Sequence, residues 1–333
     1  MLLRSHTRDE NQKAASDRTE LLASRFYDTA HHALHRRNKS SGYQVVKGDQ
    51  CIDEGGGDNI TRVVRRQLLK ALYKGRDPFL ATGLGRFRPD HKYPHSNLLA
   101  GFVRAALLSL GNVSFWLEVG SFVGTSLVLT SAVAADLCYS RMSMVAVDPF
   151  LGDVNMWAYQ RGMGTSYDFL KLDETGRPSI YQRFMANVLQ AGAAPMTVPM
   201  TMPSLVGLRL LYKLHSEGHL PFRPQAIYLD ASHEAGETLL ELRAAWRLLA
   251  PGGLLMGDDW GWSGVRHDVL AFAQQQPAMN DLASRHADAF STHAASGGLN
   301  CTRVVAARLR PGAKPIFFIL LCLPSTTWVL FKG

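Results

Sequence analysis

The chain has 333 residues, 46% of them hydrophobic, and a formal net charge of +8 from 36 Lys and Arg against 28 Asp and Glu. This composition supports one substantial core plus an accessory region. The basic excess is local: residues 1–90 hold 17 Lys and Arg against 11 Asp and Glu, and the remainder holds 19 against 17. No basic patch interleaved with aromatics accompanies it, so no nucleic-acid partner is expected.

Four cysteines, Cys51, Cys138, Cys301 and Cys322, are widely spaced and form no CxxC pair. That pattern predicts neither a zinc site nor a disulfide framework, and it suits a reducing compartment. Charge interrupts the N-terminus at Arg4 before an apolar signal core can form. The most apolar run, Ile316 to Phe331, has 16 residues and contains Pro324, whereas a membrane span needs about 20. A cytoplasmic protein without a membrane span is the expectation, with homo-oligomerisation left open.

Residues 1–90 read as a basic N-terminal extension, part disordered and part helical, with a break at Gly55-Gly56-Gly57 and a short helix over Val63 to Leu72. His31, His32 and His35 could share a helical face but read as a solvated His/Arg surface. The ordered domain, residues 91–333, announces itself at Ser96, after which Leu98, Leu99, Phe102, Ala106, Leu107 and Leu110 recur at helical spacing before Gly111.

A short apolar strand follows over Phe115 to Val119, then a tight loop, a helix over Thr125 to Leu137, and a strand over Met144 to Val147 closed by Asp148-Pro149. Phe150 to Arg177 is irregular, and its Trp157, Tyr159 and Tyr167 suit a lid. Helices are predicted over Ser179 to Leu189 and Leu205 to His215, with strands near Met196 to Val198 and over Ala226 to Leu229. Leu239, Leu242, Trp246 and Leu249 mark a helical face that ends at Pro251-Gly252-Gly253, and Leu254 to Met256 is the next strand. Val304 to Leu309, Ile316 to Leu323 and Trp328 to Phe331 form a late strand-rich block that includes a hairpin.

Apolar strands alternating with amphipathic helices predict an α/β fold: a Rossmann-like, doubly wound, mostly parallel sheet with a late antiparallel strand and helices on both faces. Ligands of such sheets bind at the carboxyl ends of the strands. Attention therefore falls on the strand tips.

At the first tip, Glu118-Val119-Gly120-Ser121-Phe122-Val123-Gly124-Thr125 places two glycines four residues apart where strand turns into helix. Glycine admits positive φ and close approach of a ligand. The run is not the GxGxxG of pyrophosphate binders, and acidic Glu118 suits a ligand that carries an ammonium group. The second strand ends in Asp148, placed to accept hydrogen bonds from both hydroxyls of a ribose. These residues resemble motifs I and II of class I S-adenosylmethionine-dependent methyltransferases. The resemblance implies that Gly120, Gly124 and Asp148 bind that cofactor, and Glu118, Ser121 and Thr125 of the same turn complete the candidate set.

Asp230 ends one strand and Asp258-Asp259 ends the next. Neighbouring parallel strands lie about 4.8 Å apart, so their tips can bring the carboxylates together. A like-charged pair at about 4 Å repels by roughly 4 kcal/mol at an effective dielectric of 20. A divalent cation, Mg²⁺ by preference for oxygen ligands, relieves that repulsion and can bind a diol substrate. The structural alternative is that Asp258 or Asp259 caps the following helix. His233, three residues beyond Asp230, is a candidate general base, and Trp260 and Trp262 lie close by in sequence.

The runs Ile227 to His233, Leu249 to Gly253 and Gly257 to Trp260 are similar to the metal-dependent sugar O-methyltransferases of macrolide biosynthesis and to the cephalosporin hydroxylase-like group, as is Asp148-Pro149-Phe150-Leu151-Gly152-Asp153. The similarity spans roughly Ser96 to Phe272. It implies methyl transfer to a hydroxyl of a sugar or polyol-like small molecule, with Asp230, Asp258 and Asp259 as metal ligands and His233 and Asp230 in catalysis. A hydroxylase-like metal enzyme or a non-catalytic relic of the cofactor pocket is the alternative.

Overall fold

The computed structural model describes residues 61–80, 97–139, 142–158, 168–277, 280–305 and 318–333. Eight strands form one sheet: β1 (Phe115–Val119), β2 (Ser143–Asp148), β3 (Thr197–Thr201), β4 (Ala226–Leu229), β5 (Leu254–Gly257), β6 (Asn300–Val305), β7 (Phe318–Leu323) and β8 (Thr327–Phe331). Their spatial order is β3-β2-β1-β4-β5-β8-β7-β6. The first five are parallel to one another, β8 runs antiparallel to β5, and β7 and β6 follow antiparallel in turn. The expected doubly wound sheet with a late antiparallel insertion is therefore present.

Each parallel strand is buried along nearly its whole length, as a sheet covered on both faces requires. The period of two divides their side chains between two cores. Trp116, Met144, Ala146, Tyr228 and Met256 enter one core, while Phe115, Leu117, Val145, Ile227 and Leu255 enter the other. Helices cover both: α1 (Thr61–Tyr73), α2 (Asn97–Leu110), α3 (Thr125–Asp136), α4 (Val154–Ala158), α5 (Ile180–Gln190), α6 (Ser204–Ser216), α7 (Glu237–Leu248), α8 (Ser263–Ala273) and α9 (Asp281–Ser296).

Helix α1 lies within the stretch read as an extension, yet Val64 and Leu68 are fully buried in the second core. Arg65 Nε donates to the Thr197 carbonyl at 3.3 Å, and Tyr73 donates to the Pro199 carbonyl at 2.6 Å. These bonds tie the helix to β3, and it forms part of the compact unit Gly48–Gly333. His31, His32, His35, Tyr159 and Tyr167 fall outside the described residues.

Helix α9 answers to no periodic stripe of large apolar residues. Its buried face is Ala283, Ala287, Phe290 and Ala294, small side chains that let it pack closely on α2, where Phe290 meets Phe102 edge to face at 5.4 Å. Asn280 caps it by accepting from the Ala283 amide at 2.9 Å.

The cysteine reading requires correction. Cys301 and Cys322 face each other across the β6–β7 ladder, Cα atoms 4.0 Å apart, and are joined by a disulfide; Cys138 is also disulfide-bonded. Spacing in sequence carried no sign of this, because antiparallel pairing creates the juxtaposition. The premise for a reducing compartment falls with it. Among the described residues no helix is long and apolar enough to cross a membrane.

Candidate active site

The β1 tip turns sharply. Gly120 has φ +88°, and a Cβ there would lie 2.0 Å from the Asp230 carbonyl oxygen, so the turn nests against the end of β4 only because the residue is glycine. Gly124, also at positive φ, opens α3. Beneath the turn, Glu118 is fully buried. One of its oxygens accepts from the Ser126 hydroxyl at 3.0 Å, while Oε2 and the nearby Ser121 hydroxyl have no hydrogen-bond partner. Burial pushes the Glu118 carboxyl up from 4.5 to about 7, against the lowering effect of its serine contacts.

A cavity of about 220 Å³ opens beside this turn, lined by Gly120, Ser121, Phe122, Thr125 and Tyr228 and bordered by Asp230 and Asp258. Of the residues predicted for the cofactor, Gly120, Ser121 and Thr125 line it, and Glu118, Gly124 and Asp148 do not. Asp148 ends β2 and accepts from the Phe122 amide at 2.8 Å and from the Phe150 amide. Burial raises its pKa despite those two bonds.

The ladders continue one step past the strands: the Asp230 amide donates to Val119 and the Asp258 amide to Leu229. Since Leu229 pairs with Gly257, Asp230 and Asp258 sit side by side at the tips of β4 and β5. Asp259 follows in a left-handed conformation, φ +60°. Its Oδ2 lies 2.7 Å from His233 Nε2, and Asp153 Oδ2 lies 3.4 Å from His233 Nδ1. Helix α8 locks the other side, for a Cβ on Gly264 would lie 2.4 Å from the His233 carbonyl.

Donor atoms of Asp230, His233 and Asp259 come within 4.8 Å of one another. Asp258 is adjacent but differently engaged: its Oδ1 accepts from the Asp259 amide at 2.8 Å and the Thr326 hydroxyl at 2.9 Å, and its Oδ2 lies 3.4 Å from the Tyr228 hydroxyl. Neither aspartate caps α8, whose N-cap is Trp262 without a side-chain bond. Trp262 instead lies beside the His233 ring, centroids 5.1 Å apart, and Trp260 is partly buried against the second core.

Desolvation dominates the acids here. Burial, then the charges of Asp259 and Asp258, raise Asp230 well above the ordinary carboxylate range. Burial and Asp259 lift Asp258 to about 6. For His233, burial pulls the pKa down, but the hydrogen bond to Asp259 and the charges of Asp259, Asp230 and Asp153 outweigh it, giving about 9. Both ring nitrogens face carboxylates, an arrangement that favours the charged form of the imidazole.

Sequence reasoning missed Asp153, Tyr228 and Thr326. Asp153 closes the run Asp148 to Asp153, yet nothing local says that it meets a histidine 80 positions away.

Residues 117–260 match the family model described as a methyltransferase domain. The matched segment, under half of the chain, holds both glycines of the β1 turn and all three aspartates of the acidic site. Among solved structures it is similar to an O-methyltransferase from Bacillus cereus in complex with SAH, at 15% identity over 82% of this chain and 100% of that one, TM-score 0.38. It is also similar to the O-methyltransferase TomG from Streptomyces achromogenes in complex with SAM, at 14% identity over 84% and 92%, TM-score 0.34. A third is the calicheamicin methyltransferase CalS11, at 15% identity over 89% and 99%, TM-score 0.40. No curated protein sequence matches the chain.

Proposed function

We propose that the protein transfers a methyl group from S-adenosylmethionine to a hydroxyl of a small molecule, a sugar or polyol-like acceptor, positioned by a divalent cation. One observation carries this reading: the donors of Asp230, His233 and Asp259 converge within 4.8 Å, and Asp230 and Asp258 border both that site and the cavity beside the glycine turn.

The donor set fits a divalent cation. Carboxylates from Asp230 and Asp259, with Asp258 adjacent, suit Mg²⁺ and less selectively Mn²⁺. The residues fit the cofactor as well: Glu118 Oε2 is buried without a hydrogen-bond partner, and the ammonium of a bound methionine moiety would supply one. When bound, the sulfonium supplies an electrophilic methyl group and the cation lowers the pKa of an acceptor hydroxyl.

The chain's own groups do the rest. Gly120, Gly124 and Thr125 form the turn against which the cofactor lies. Asp148 holds the ribose through lone pairs left over after its two backbone bonds. His233 takes the hydroxyl proton at Nε2 while Asp153, at Nδ1, orients the ring and stabilises its charged form. As a base it must first give up the proton that Asp259 stabilises.

Calorimetry with S-adenosylhomocysteine, and transfer of labelled methyl to a panel of sugars and polyols with and without chelator, test the reading. Saturable binding weakened by Asp148→Ala, and transfer lost on chelation and in Asp230→Asn, are expected. Absence of cofactor binding by folded protein would refute methyl transfer, and full activity in chelator would refute the role of the cation.

A further inference from the structure

We propose that Thr326, in the turn between β7 and β8, is a positioning residue for the acidic pair, setting how Asp258 and Asp259 are presented to a cation. The inference rests on the metal reading above. The turn is far from the pair in sequence, 68 positions from Asp258, but the antiparallel insertion of β8 beside β5 brings it over the β5 tip.

Three bonds from this hairpin hold residues 258 to 260. The Thr326 hydroxyl donates to Asp258 Oδ1 at 2.9 Å, the Trp260 amide donates to the Thr326 carbonyl at 3.1 Å, and Trp328 Nε1 donates to the Asp258 carbonyl at 2.9 Å. Asp259 is thus clamped on both sides while it adopts φ +60° and reaches His233. The Thr326 hydroxyl also lies 2.7 Å from the Ser325 carbonyl. Its single proton is shared between the two, and a carboxylate is the stronger acceptor.

A second observation points the same way. Thr326 is exposed and has φ +58°, a left-handed conformation that β-branched residues avoid and glycine takes freely. Packing does not explain a threonine there; its hydroxyl does. Such strain concentrates where a site needs a particular group in a particular place. The base of the turn is firm, since Ser325 donates to the Cys322 carbonyl at 2.9 Å and Cys322 is bonded to Cys301.

The experiment titrates full-length protein with Mn²⁺, following the free ion by electron paramagnetic resonance, and records Tm and S-adenosylhomocysteine affinity for Thr326→Ser and Thr326→Gly. Partners of metal ligands are worth about 10- to 100-fold in metal affinity. Thr326→Ser should bind Mn²⁺ like wild type. Thr326→Gly should bind at least about tenfold more weakly, with Tm and cofactor affinity unchanged, because glycine relieves the strain while removing the hydroxyl. Wild-type affinity in Thr326→Gly, an equal loss in Thr326→Ser, or a fall in Tm that parallels the loss would overturn the inference. A wild-type protein that binds no Mn²⁺ is a distinct result, and it would overturn the metal reading and this inference with it.

Discussion

Replacing Gly120 by alanine tests whether the glycine turn and the acidic site share one piece of backbone. The added methyl would lie 2.0 Å from the Asp230 carbonyl oxygen, 2.4 Å from its carbon and 2.7 Å from Ala231 Cα. These are backbone atoms, so no side chain can rotate away. The left-handed conformation costs an alanine about 1–2 kcal/mol, and forced displacement of packed structure costs about 1–3 kcal/mol more. Together they lower Tm by roughly 10 °C at about 2–4 °C per kcal/mol. Gly192→Ala is the control: it has φ +70° with nothing within 4 Å, so only the conformational cost applies, a shift of a few degrees. Because the displaced carbonyl belongs to Asp230, Gly120→Ala should also lose Mn²⁺ and S-adenosylhomocysteine binding together, measured by calorimetry on protein folded at low temperature. If Gly120→Ala melts with Gly192→Ala and keeps its Mn²⁺ affinity, the shared-backbone reasoning is wrong.

Three further outcomes are expected. Burial raises Glu118 from 4.5 to about 7, so between those values the native state holds a proton that the unfolded chain releases, and its contribution to stability declines as pH rises through that window. Glu118→Gln removes this decline, a difference of up to about 3 kcal/mol between pH 4 and pH 8 in urea unfolding, and parallel profiles would refute the assignment. The His233 ring, held near 9 by its carboxylates after burial has pulled it down, must lose its proton to act as the base, so the rate of methyl transfer should climb from pH 6 to about 9 and then level. A rate and pH profile unchanged in His233→Asn would remove the imidazole from the role of base. The Cys301–Cys322 bond closes a separation of 21 residues, worth about 3 kcal/mol by loop closure. Cys301→Ser with Cys322→Ser should destabilise by that order in chemical denaturation, and quantitative alkylation of both thiols in native, unreduced protein would show the bond does not form.

Much was written locally. The short apolar run Phe115 to Val119 and the spacing of Ile180, Phe184 and Val188 specify strand and helix locally, and the acids immediately after apolar strands marked the tips where ligands of parallel sheets bind. Glycines 120 and 124 signalled a turn that only glycine tolerates. The parallel character of the sheet and the region of the site followed from these patterns.

Tertiary structure decided which of the acids act together. Asp230, His233 and Asp259 converge while Asp258 is held by Thr326 and Tyr228, a division that depends on side-chain bonds and on the left-handed φ of Asp259. The Asp153–His233 contact, the disulfide and the Thr326 clamp join positions 80, 21 and 68 apart. Periodicity encodes which way a side chain points from its own strand or helix. Strand order and crossovers alone set what it meets there, and those exist only once the sheet has closed over its two cores.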